Sequence, residues 1–328
     1  MLKLIMKVSR LSVLAIVAIA LLTVVPFSVS AAADQREVED AKVNLNGSSL
    51  KLESPLHMVN GRVYVPVGLV AKSLSASVSW DSNTQEATII TKSNDEVVFG
   101  NDVPTVYFND QRYKLEAAPY LYDSRLYVPV RYIAEIAHAT AAWDIDKKEL
   151  TLTSVPLEVV SDENSLAKIS ADNNLTQAEV VKRNKFSSKD QVKNGMKLAV
   201  IIPSILNEKA KPFTNEEYQL LAKIVQVESG YESYEGQLAV ANVILNRVAS
   251  SNFPDTIKEV IYSGKQFPPA HNGLLAKAKP NASVLQATKD ALNGKNNVEG
   301  AVYFFNPKYS SGSNLTVVAT IGNHRFAK

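Results

Sequence analysis

The sequence has no cysteine, four histidines and two tryptophans among its 328 residues. Without cysteine, disulfide bonds, thiol catalysis and thiolate metal sites are excluded. The histidines are scattered without the spacing of metal ligands, so we predict no metal site and no cofactor. The sequence has no large excess of one charge, since it contains 35 lysine and arginine residues and 33 aspartate and glutamate residues. We therefore predict no nucleic-acid binding through a basic surface.

The long apolar run of the sequence stands at its N-terminus. Lys3, Lys7 and Arg10 precede an apolar stretch that continues to about Phe27. This pattern predicts a secretory signal peptide over residues 1–33, and the run is shorter than the ~20 residues that a spanning helix needs. An uncleaved membrane anchor is the alternative. We expect cleavage, no membrane association afterwards, and secretion to a cell wall or envelope of the Gram-positive type.

An internal repeat at an offset of 63 residues extends over 43–154. The segment Arg62–Val67 returns as Arg125–Val130, and Trp80 returns as Trp143, each followed by aspartate. A constant offset over many positions indicates a duplicated unit, here a β-rich one with a short helix after each Val-Pro-Val. We expect the two tryptophans to be core anchors rather than platforms for sugars.

With these motifs, region 43–154 resembles the copper amine oxidase N-terminal-like domain of exported Gram-positive proteins. Despite that name, no copper site is predicted, because His57 and His138 stand alone. The resemblance implies a stalk or envelope-interaction module.

The next segment, 157–202, carries two helix caps and a turn. Ser165 and Thr176 can each cap a short helix, and Asn194-Gly195 supplies a turn before a final strand. The segment resembles a LysM domain, a βααβ fold that binds glycans containing N-acetylglucosamine. The opening Ser161–Ser165 departs from the Ser-Gly-Asp-Thr run of that family, and a structural spacer without glycan binding is the alternative.

After a linker over 203–213, a helix begins at the capping box of Thr214 and Glu217. Leu221 and Ile224 lie on one face of this helix, and the next position on that face is Glu228. An acidic residue on an inward stripe is unfavourable unless it is paired or lines a cavity. We therefore expect Glu228 to be paired or to line a cavity. Gly230 is expected to end the helix just after it.

The rest of the chain predicts more helices and then a small sheet. The segment 234–248 is apolar almost all round and should be the buried centre of the domain. Helices are expected near 256–262 and 282–292, and strands near 301–305 and 315–321. The chain as a whole is predicted to be a multidomain α+β protein.

Several motifs occur in order in this last part: Glu228-Ser229-Gly230-Tyr231, Asn246-Arg247, Gln266-Phe267, Tyr303-Phe304-Phe305-Asn306-Pro307 and Gly322-Asn323-His324. With its helices, region 214–328 resembles the cell wall hydrolase family that contains the spore cortex-lytic enzyme SleB. The resemblance implies a mainly helical, lysozyme-like fold with a small β-sheet. It also implies lytic transglycosylase-type cleavage between N-acetylmuramic acid and N-acetylglucosamine, with peptidoglycan glycan strands as partner.

The resemblance carries over onto individual residues. It implies that Glu228 is the catalytic acid. The residues expected to bind substrate are Gln266, Phe267, Tyr303, Asn306, His324 and Glu235. For Asn246 and Arg247 a structural role and a site role both stay open. The Pro268-Pro269-Ala270-His271 run departs from the serine and aromatic residue that many relatives have there, so the groove is expected to differ locally.

Three functions fit these residues. A lytic transglycosylase needs one carboxyl group, because the C6 hydroxyl of the substrate can attack in place of water. A muramidase-type hydrolase would use Glu232 or Glu235 as a second carboxylate, although both also suit the N-terminal dipole of the following helix. A wall-binding protein without catalysis is the third. The sequence does not decide between vegetative wall and spore cortex, nor does it predict an oligomeric state.

Overall fold

The computed structural model describes residues 35–328 except Lys265, Ser311 and Ser313, so the predicted signal peptide over 1–33 lies outside the described residues. Within this described range, no helix is both long and apolar enough to cross a membrane. The N-terminal domain contains strands β1 (Gln35–Val38), β2 (Lys42–Leu45), β3 (Ser48–Ser49), β4 (Leu56–Val59), β5 (Arg62–Pro66), β6 (Ser77–Asp81), β7 (Glu86–Ile90), β8 (Glu96–Gly100), β9 (Thr105–Phe108), β10 (Gln111–Lys114), β11 (Tyr120–Tyr122), β12 (Arg125–Pro129), β13 (Ala139–Asp144) and β14 (Glu149–Ser154), and helices α1 (Val67–Ser73) and α2 (Val130–Ile136).

The two repeats of this domain meet at strands β5 and β12. These strands pair antiparallel, with Val65 opposite Val128 and Tyr64 opposite Pro129. Val128 is the equivalent of Val65 at the offset of 63 residues, so a local two-fold axis passes through this pair. Each of the two strands ends at its proline, which stands at the N-cap of the following helix.

Three sheets enclose the core of the N-terminal domain. Their strand orders are β1-β4-β5-β12-β11, β10-β9-β8-β7-β6 and β13-β14-β2-β3. Strand β8 was not predicted and lies between β7 and β9, whereas the equivalent strands β14 and β2 pair directly and in parallel. Trp143 packs against the core as expected. Trp80 does not, because 43% of its surface is exposed, so the expectation of a core anchor is wrong there.

The segment after this domain has the order strand, helix, helix, strand. Its elements are β15 (Glu158–Val159), α3 (Leu166–Asp172), α4 (Gln177–Arg183) and β16 (Lys197–Leu198), and β15 pairs antiparallel with β16. Ser165 accepts a hydrogen bond from the backbone N–H of Lys168, and Thr176 forms a capping box with Glu179. The two caps thus begin the helices where the sequence places them. Glycan binding by this segment stays a prediction.

The C-terminal domain packs its helices around α6. Its elements are α5 (Asn215–Ser229), α6 (Tyr234–Val248), α7 (Ile257–Tyr262), α8 (Leu274–Lys277), α9 (Ala282–Leu292), β17 (Tyr303–Phe305), β18 (Val317–Ile321) and β19 (His324–Ala327). Helix α6 is almost entirely buried and contacts α5, α7, α9 and the sheet. The sheet has the order β17-β19-β18, and β19 at its centre was not predicted.

The end of helix α9 is attached to the N-terminal domain. Arg112 donates hydrogen bonds to the Leu292 carbonyl at 2.8 Å and to Oδ1 of Asn293 at 2.9 Å. Thr105 Oγ1 donates to the Asn293 carbonyl at 2.7 Å, and Lys289 forms an ion pair of 2.7 Å with Glu86. The last carbonyls of a helix have no partner within it, and a cation there is favourable. The C-terminal domain is therefore held by its own helix end.

A buried ion pair joins the N-terminal domain to the βααβ segment. The guanidinium of Arg183 lies 2.7 Å from the Asp95 carboxylate, and both side chains are almost fully buried. Lys185 reaches the same carboxylate at 3.0 Å, and Asn109 donates to it. Burial alone would raise the pKa of Asp95, but Arg183, Asn109 and Lys185 together outweigh it and the pKa is lowered. Asp95 thus stays ionised inside the junction.

This junction predicts unequal effects of two substitutions. Arg183→Met should lower the free energy of unfolding by about 3–5 kcal/mol, because it leaves a buried carboxylate without its main partner. Lys185→Met removes a half-exposed cation and should lower it by about 1 kcal/mol or less. Urea unfolding of the three proteins at one pH measures both. Equal losses would contradict this account of the junction.

Candidate active site

Glu228 lies near the C-terminal end of α5, on the face that packs into the core. Leu221, Ile224 and Val225 precede it by seven, four and three residues, and all three are fully buried. Residues at these spacings share one side of a helix. Glu228 itself is only partly buried, at the point where the apolar stripe reaches the surface. The core packing of α5 therefore fixes where this carboxyl group stands.

The carboxyl group of Glu228 has no hydrogen-bond or ion-pair partner among the residues that the structure describes. Burial raises the pKa of Glu228 above its ordinary value, and no neighbouring charge opposes this shift. Such a carboxyl group is more readily protonated than an exposed one. It can donate a proton to a bound molecule and then take one back.

The turn after Glu228 is fixed by contacts to the start of α9. Gln226 Oε1 accepts from the backbone N–H of Asn281 at 2.8 Å, and Asn281 Nδ2 donates to the Gly230 carbonyl at 3.3 Å. Gly230 ends the helix as predicted, but its φ of −59° is right-handed. Glycine is required there for space, since a Cβ atom would lie 2.4 Å from the Gln226 carbonyl oxygen.

Glu232 connects this turn to the hairpin between β18 and β19. Its carboxylate accepts from Asn323 Nδ2 at 2.7 Å and from the Asn323 backbone N–H at 3.3 Å. Nδ1 of His324 lies 3.9 Å from the same carboxylate, and the His324 ring packs against Phe304. Glu232 thus holds the hairpin rather than standing free at the helix N-terminus. No local pattern predicts this pairing, because 91 residues separate Glu232 and Asn323.

Glu235 points into a different part of the molecule. Its carboxylate accepts from Asn297 Nδ2 at 2.8 Å. It lines a cleft of about 590 Å³ between the two large domains, together with Asp102 and Lys295. The lining of that cleft does not include Glu228, so the structure does not bring Glu235 and Glu228 into one cavity.

Arg247 organises several of the predicted residues. Its guanidinium is buried and lies over the rings of Phe253, Phe267 and Tyr303, at 5.2, 5.3 and 5.9 Å from their centroids. Its Nε donates to the Val302 carbonyl at 2.7 Å. The sequence left open whether Arg247 has a structural role or a role in the site. These contacts support the structural role.

Asn246 has a similar role beside it. Its Nδ2 donates to the carbonyls of Val298 and Ala301, at 3.1 and 2.9 Å. These bonds satisfy the backbone that leads into β17. Asn246 is therefore engaged in holding this backbone rather than free for a ligand.

The predicted substrate-binding residues occupy different environments. Gln266 is exposed and Tyr303 partly buried, whereas Phe267 is only 1% exposed. A buried ring has no surface to offer a substrate, so the prediction of direct contact is corrected for Phe267: it packs beneath the surface, next to Phe304. Asn306 accepts from the Lys308 backbone N–H at 2.9 Å and shapes the turn after β17. In the described part of the chain, no cluster of three or more acidic or histidine side chains could hold a metal ion.

Comparisons with known proteins match two regions of the chain. Residues 231–327 match the family model described as Cell Wall Hydrolase, and residues 44–152 match the model of the copper amine oxidase N-terminal domain. These matches confirm the resemblances drawn for regions 43–154 and 214–328, whereas the LysM resemblance of 157–202 stays a prediction. The first match begins three residues after Glu228, so it does not include this residue.

Curated relatives and solved structures match about a third of the chain. A Bacillus cereus protein named spore cortex-lytic enzyme is 37% identical over 119 residues, which are 35% of this chain and 46% of that protein. Its namesake from Bacillus subtilis strain 168 is 36% identical over 119 residues, 35% of this chain and 39% of that protein. The chain thus spans less than half the length of these relatives. The catalytic domain of the germination-specific lytic transglycosylase SleB from Bacillus anthracis is 36% identical, with a TM-score of 0.34, covering 36% of this chain and 98% of that one.

The raised pKa of Glu228 predicts a pH-dependent effect of Glu228→Gln on stability. A carboxyl group whose pKa is higher in the folded chain than in the unfolded chain destabilises the fold when it ionises, so stability falls as pH rises through this interval. The amide cannot ionise. The variant should therefore be more stable than the parent at about pH 7 and no more stable at about pH 4. Thermal unfolding at the two pH values tests this, and a difference that does not change with pH would count against it.

Proposed function

We propose that region 214–328 is a peptidoglycan-lytic domain that cleaves the glycan strand between N-acetylmuramic acid and N-acetylglucosamine, with Glu228 as its acid. The match of residues 231–327 to the cell wall hydrolase model supports the substrate class. The names of the curated relatives, spore cortex-lytic enzymes, support the lytic activity. The single observation that carries the role of Glu228 is its unpartnered, half-buried carboxyl group at the end of α5.

The reaction begins with protonation of the glycosidic oxygen. Glu228 donates its proton to the oxygen that leaves with N-acetylglucosamine, while the bond from this oxygen to C1 of N-acetylmuramic acid breaks. Burial favours the protonated form that this step needs. Glu228 then carries a negative charge next to a positively polarised sugar ring. That charge is favourable only while the ring is bound.

The second step closes the ring without water. The C6 hydroxyl of the same N-acetylmuramic acid attacks C1, and the Glu228 carboxylate takes the hydroxyl proton. The products are an anhydro sugar end and a new N-acetylglucosamine end, and Glu228 is protonated again. Atoms balance without an added reactant, so one carboxyl group is sufficient.

The engagement of the two neighbouring acids favours this route over hydrolysis. A hydrolase of the muramidase type needs a second carboxylate that can activate water or attack the sugar. Glu232 is held by Asn323, and Glu235 is held by Asn297. Either acid would have to leave its partner to serve as that carboxylate.

The remaining regions are proposed to bring this domain to its substrate. We propose export by the signal peptide, location in the cell wall or envelope, and glycan binding by the LysM-like segment 157–202. The names of the relatives favour spore cortex as a target. Because the N-terminal domain holds the end of α9 through Arg112, these regions would approach the glycan together.

Release of soluble fragments from purified peptidoglycan tests the role of Glu228. Glu228→Gln should lower the rate by at least about 100-fold, the usual contribution of a general acid. Glu235→Gln should keep most of the activity, and Glu299→Gln, at an exposed position, is the matched control. Circular dichroism verifies that each variant is folded. Near-normal lysis by a folded Glu228→Gln protein would refute the assignment, and loss of lysis in Glu235→Gln would favour the hydrolase.

A further inference from the structure

Each repeat of the N-terminal domain has a groove beside its short helix, at equivalent positions of the duplication. The repeat-1 groove has a volume of about 320 Å³, and the repeat-2 groove has about 330 Å³. Seven lining residues of the first groove are equivalents, at the offset of 63, of lining residues of the second: Glu53 and Glu116, Pro66 and Pro129, Val67 and Val130, Gly68 and Arg131, Leu69 and Tyr132, Arg125 and Arg62, and Leu126 and Val63. The two grooves are therefore copies of one site.

The linker of the same chain forms one wall of the repeat-2 groove, through Ser204, Ile205, Asn207 and Glu208. Ile205 inserts into the N-terminal core and is 1% exposed, and Leu206 packs against that core. The backbone N–H of Ser204 donates to the Glu135 carboxylate at 2.6 Å. Glu135 is itself held by Arg131 at 2.6 Å. The 3-10 turn Ser204–Leu206 thus closes one side of this groove through an aliphatic side chain and one backbone contact.

The linker also adds to the edge of a sheet. Strand β10 is an edge strand, and the backbone N–H of Lys114 donates to the Glu208 carbonyl at 2.8 Å. The backbone N–H of Ala210 donates to the Arg112 carbonyl at 3.1 Å, which completes a short antiparallel pairing. Addition of a strand to an exposed edge is a general mode of peptide recognition.

The repeat-1 groove has the same shape, but its described lining comes only from the N-terminal domain. Trp80 lines it and is 43% exposed, while the equivalent Trp143 packs against the core. Leu69 is partly exposed, while the equivalent Tyr132 is buried. Among the described residues, no linker segment lines the repeat-1 groove, and Trp80 forms part of its open wall.

The charge at the end of the groove differs between the repeats. Lys72 stands where the second repeat has Glu135, and Gly68 stands where it has Arg131. The Lys72 ammonium forms no ion pair or hydrogen bond with the described residues. In the second groove, the linker presents a backbone N–H to the Glu135 carboxylate. At the equivalent position of the first groove, a bound segment would have to present a carboxylate to the Lys72 ammonium.

The first repeat also has an equivalent of the edge strand that binds the linker. Strand β3 is the edge strand of its sheet, as β10 is of its own. Ser49 and Lys51 are the equivalents of Arg112 and Lys114, which pair with the linker. An equivalent of the groove and an equivalent of the edge strand are thus both present in the first repeat.

We propose that the repeat-1 groove binds a segment of a partner protein that resembles residues 203–210 and carries an acidic residue at the position of Ser204. An aliphatic side chain of that segment would pack on Leu69, Val78 and Trp80, its carboxylate would pair with Lys72, and its backbone would add to β3. A peptide is favoured over a sugar because a peptide segment, the linker, packs along the equivalent groove. This proposal is independent of the role of Glu228.

Binding of defined peptides to the full chain tests the proposal. The probe is a fluorescein-labelled octapeptide with the sequence of residues 203–210 and the change Ser204→Asp, followed by fluorescence polarisation. The matched peptide with Ser204→Lys should bind at least about fivefold more weakly, since it places a like charge against Lys72. In the Lys72→Glu protein this preference should reverse. Lys92→Glu, an exposed position away from the groove lining, is the charge-matched control and should leave binding unchanged.

A second variant separates the groove from general electrostatic attraction. Trp80→Ala removes an exposed platform, so the fold should persist, and it should weaken the aspartate peptide by about tenfold. Absence of binding by the aspartate peptide would overturn the proposal, as would binding that neither Lys72→Glu nor Trp80→Ala changes. A shift of Trp80 fluorescence with N-acetylglucosamine oligomers but not with the peptide, measured in a Trp143→Phe protein, would assign the groove to glycan instead.

Discussion

A carboxyl group kept without a partner on the inner face of a helix is the constraint on which the proposed chemistry depends. The buried residues Leu221, Ile224 and Val225 fix the rotation of α5, and this rotation places Glu228 where the stripe meets the surface. An unpartnered polar group in this position lowers stability. The rest of the domain compensates through the packing of α6 and through the contacts of Gln226 and Asn281 that hold the turn in place.

The neighbouring acids differ from Glu228 in what they contact rather than in residue type. Glu232 joins the helices to the β18–β19 hairpin, and Glu235 binds Asn297 beside the cleft to the N-terminal domain. Three glutamates within eight residues therefore have three roles, and only the first has a free carboxyl group among the described residues. In the duplicated domain, equivalent grooves likewise differ in what surrounds them, because among the described residues the linker lines only the second groove.

Local patterns predicted much of this structure. The bounds of α6 and α9 follow from their apolar residues, the start of α4 from the N-cap residue Thr176, and the start of α5 from the capping box of Thr214. Features set by distant partners were missed or misjudged. Strand β19 and the bond between Glu232 and Asn323 depend on residues far apart in the chain, and Phe267 is buried by the rings around Arg247. The exposure of Trp80, unlike the packing of Trp143, was not predicted. Gly230 was predicted correctly but for a different physical reason.

One carboxyl group and the sugar's own hydroxyl are proposed to be sufficient for cleavage of the glycosidic bond. Digestion of peptidoglycan in oxygen-18 water is the direct test. Mass analysis of the released fragments identifies the new muramic acid ends. Attack by the C6 hydroxyl should give anhydro ends that contain no oxygen-18, because water takes no part in the cleavage. Reducing ends that carry one oxygen-18 atom would contradict it, since they require an attacking water and a second group to activate that water.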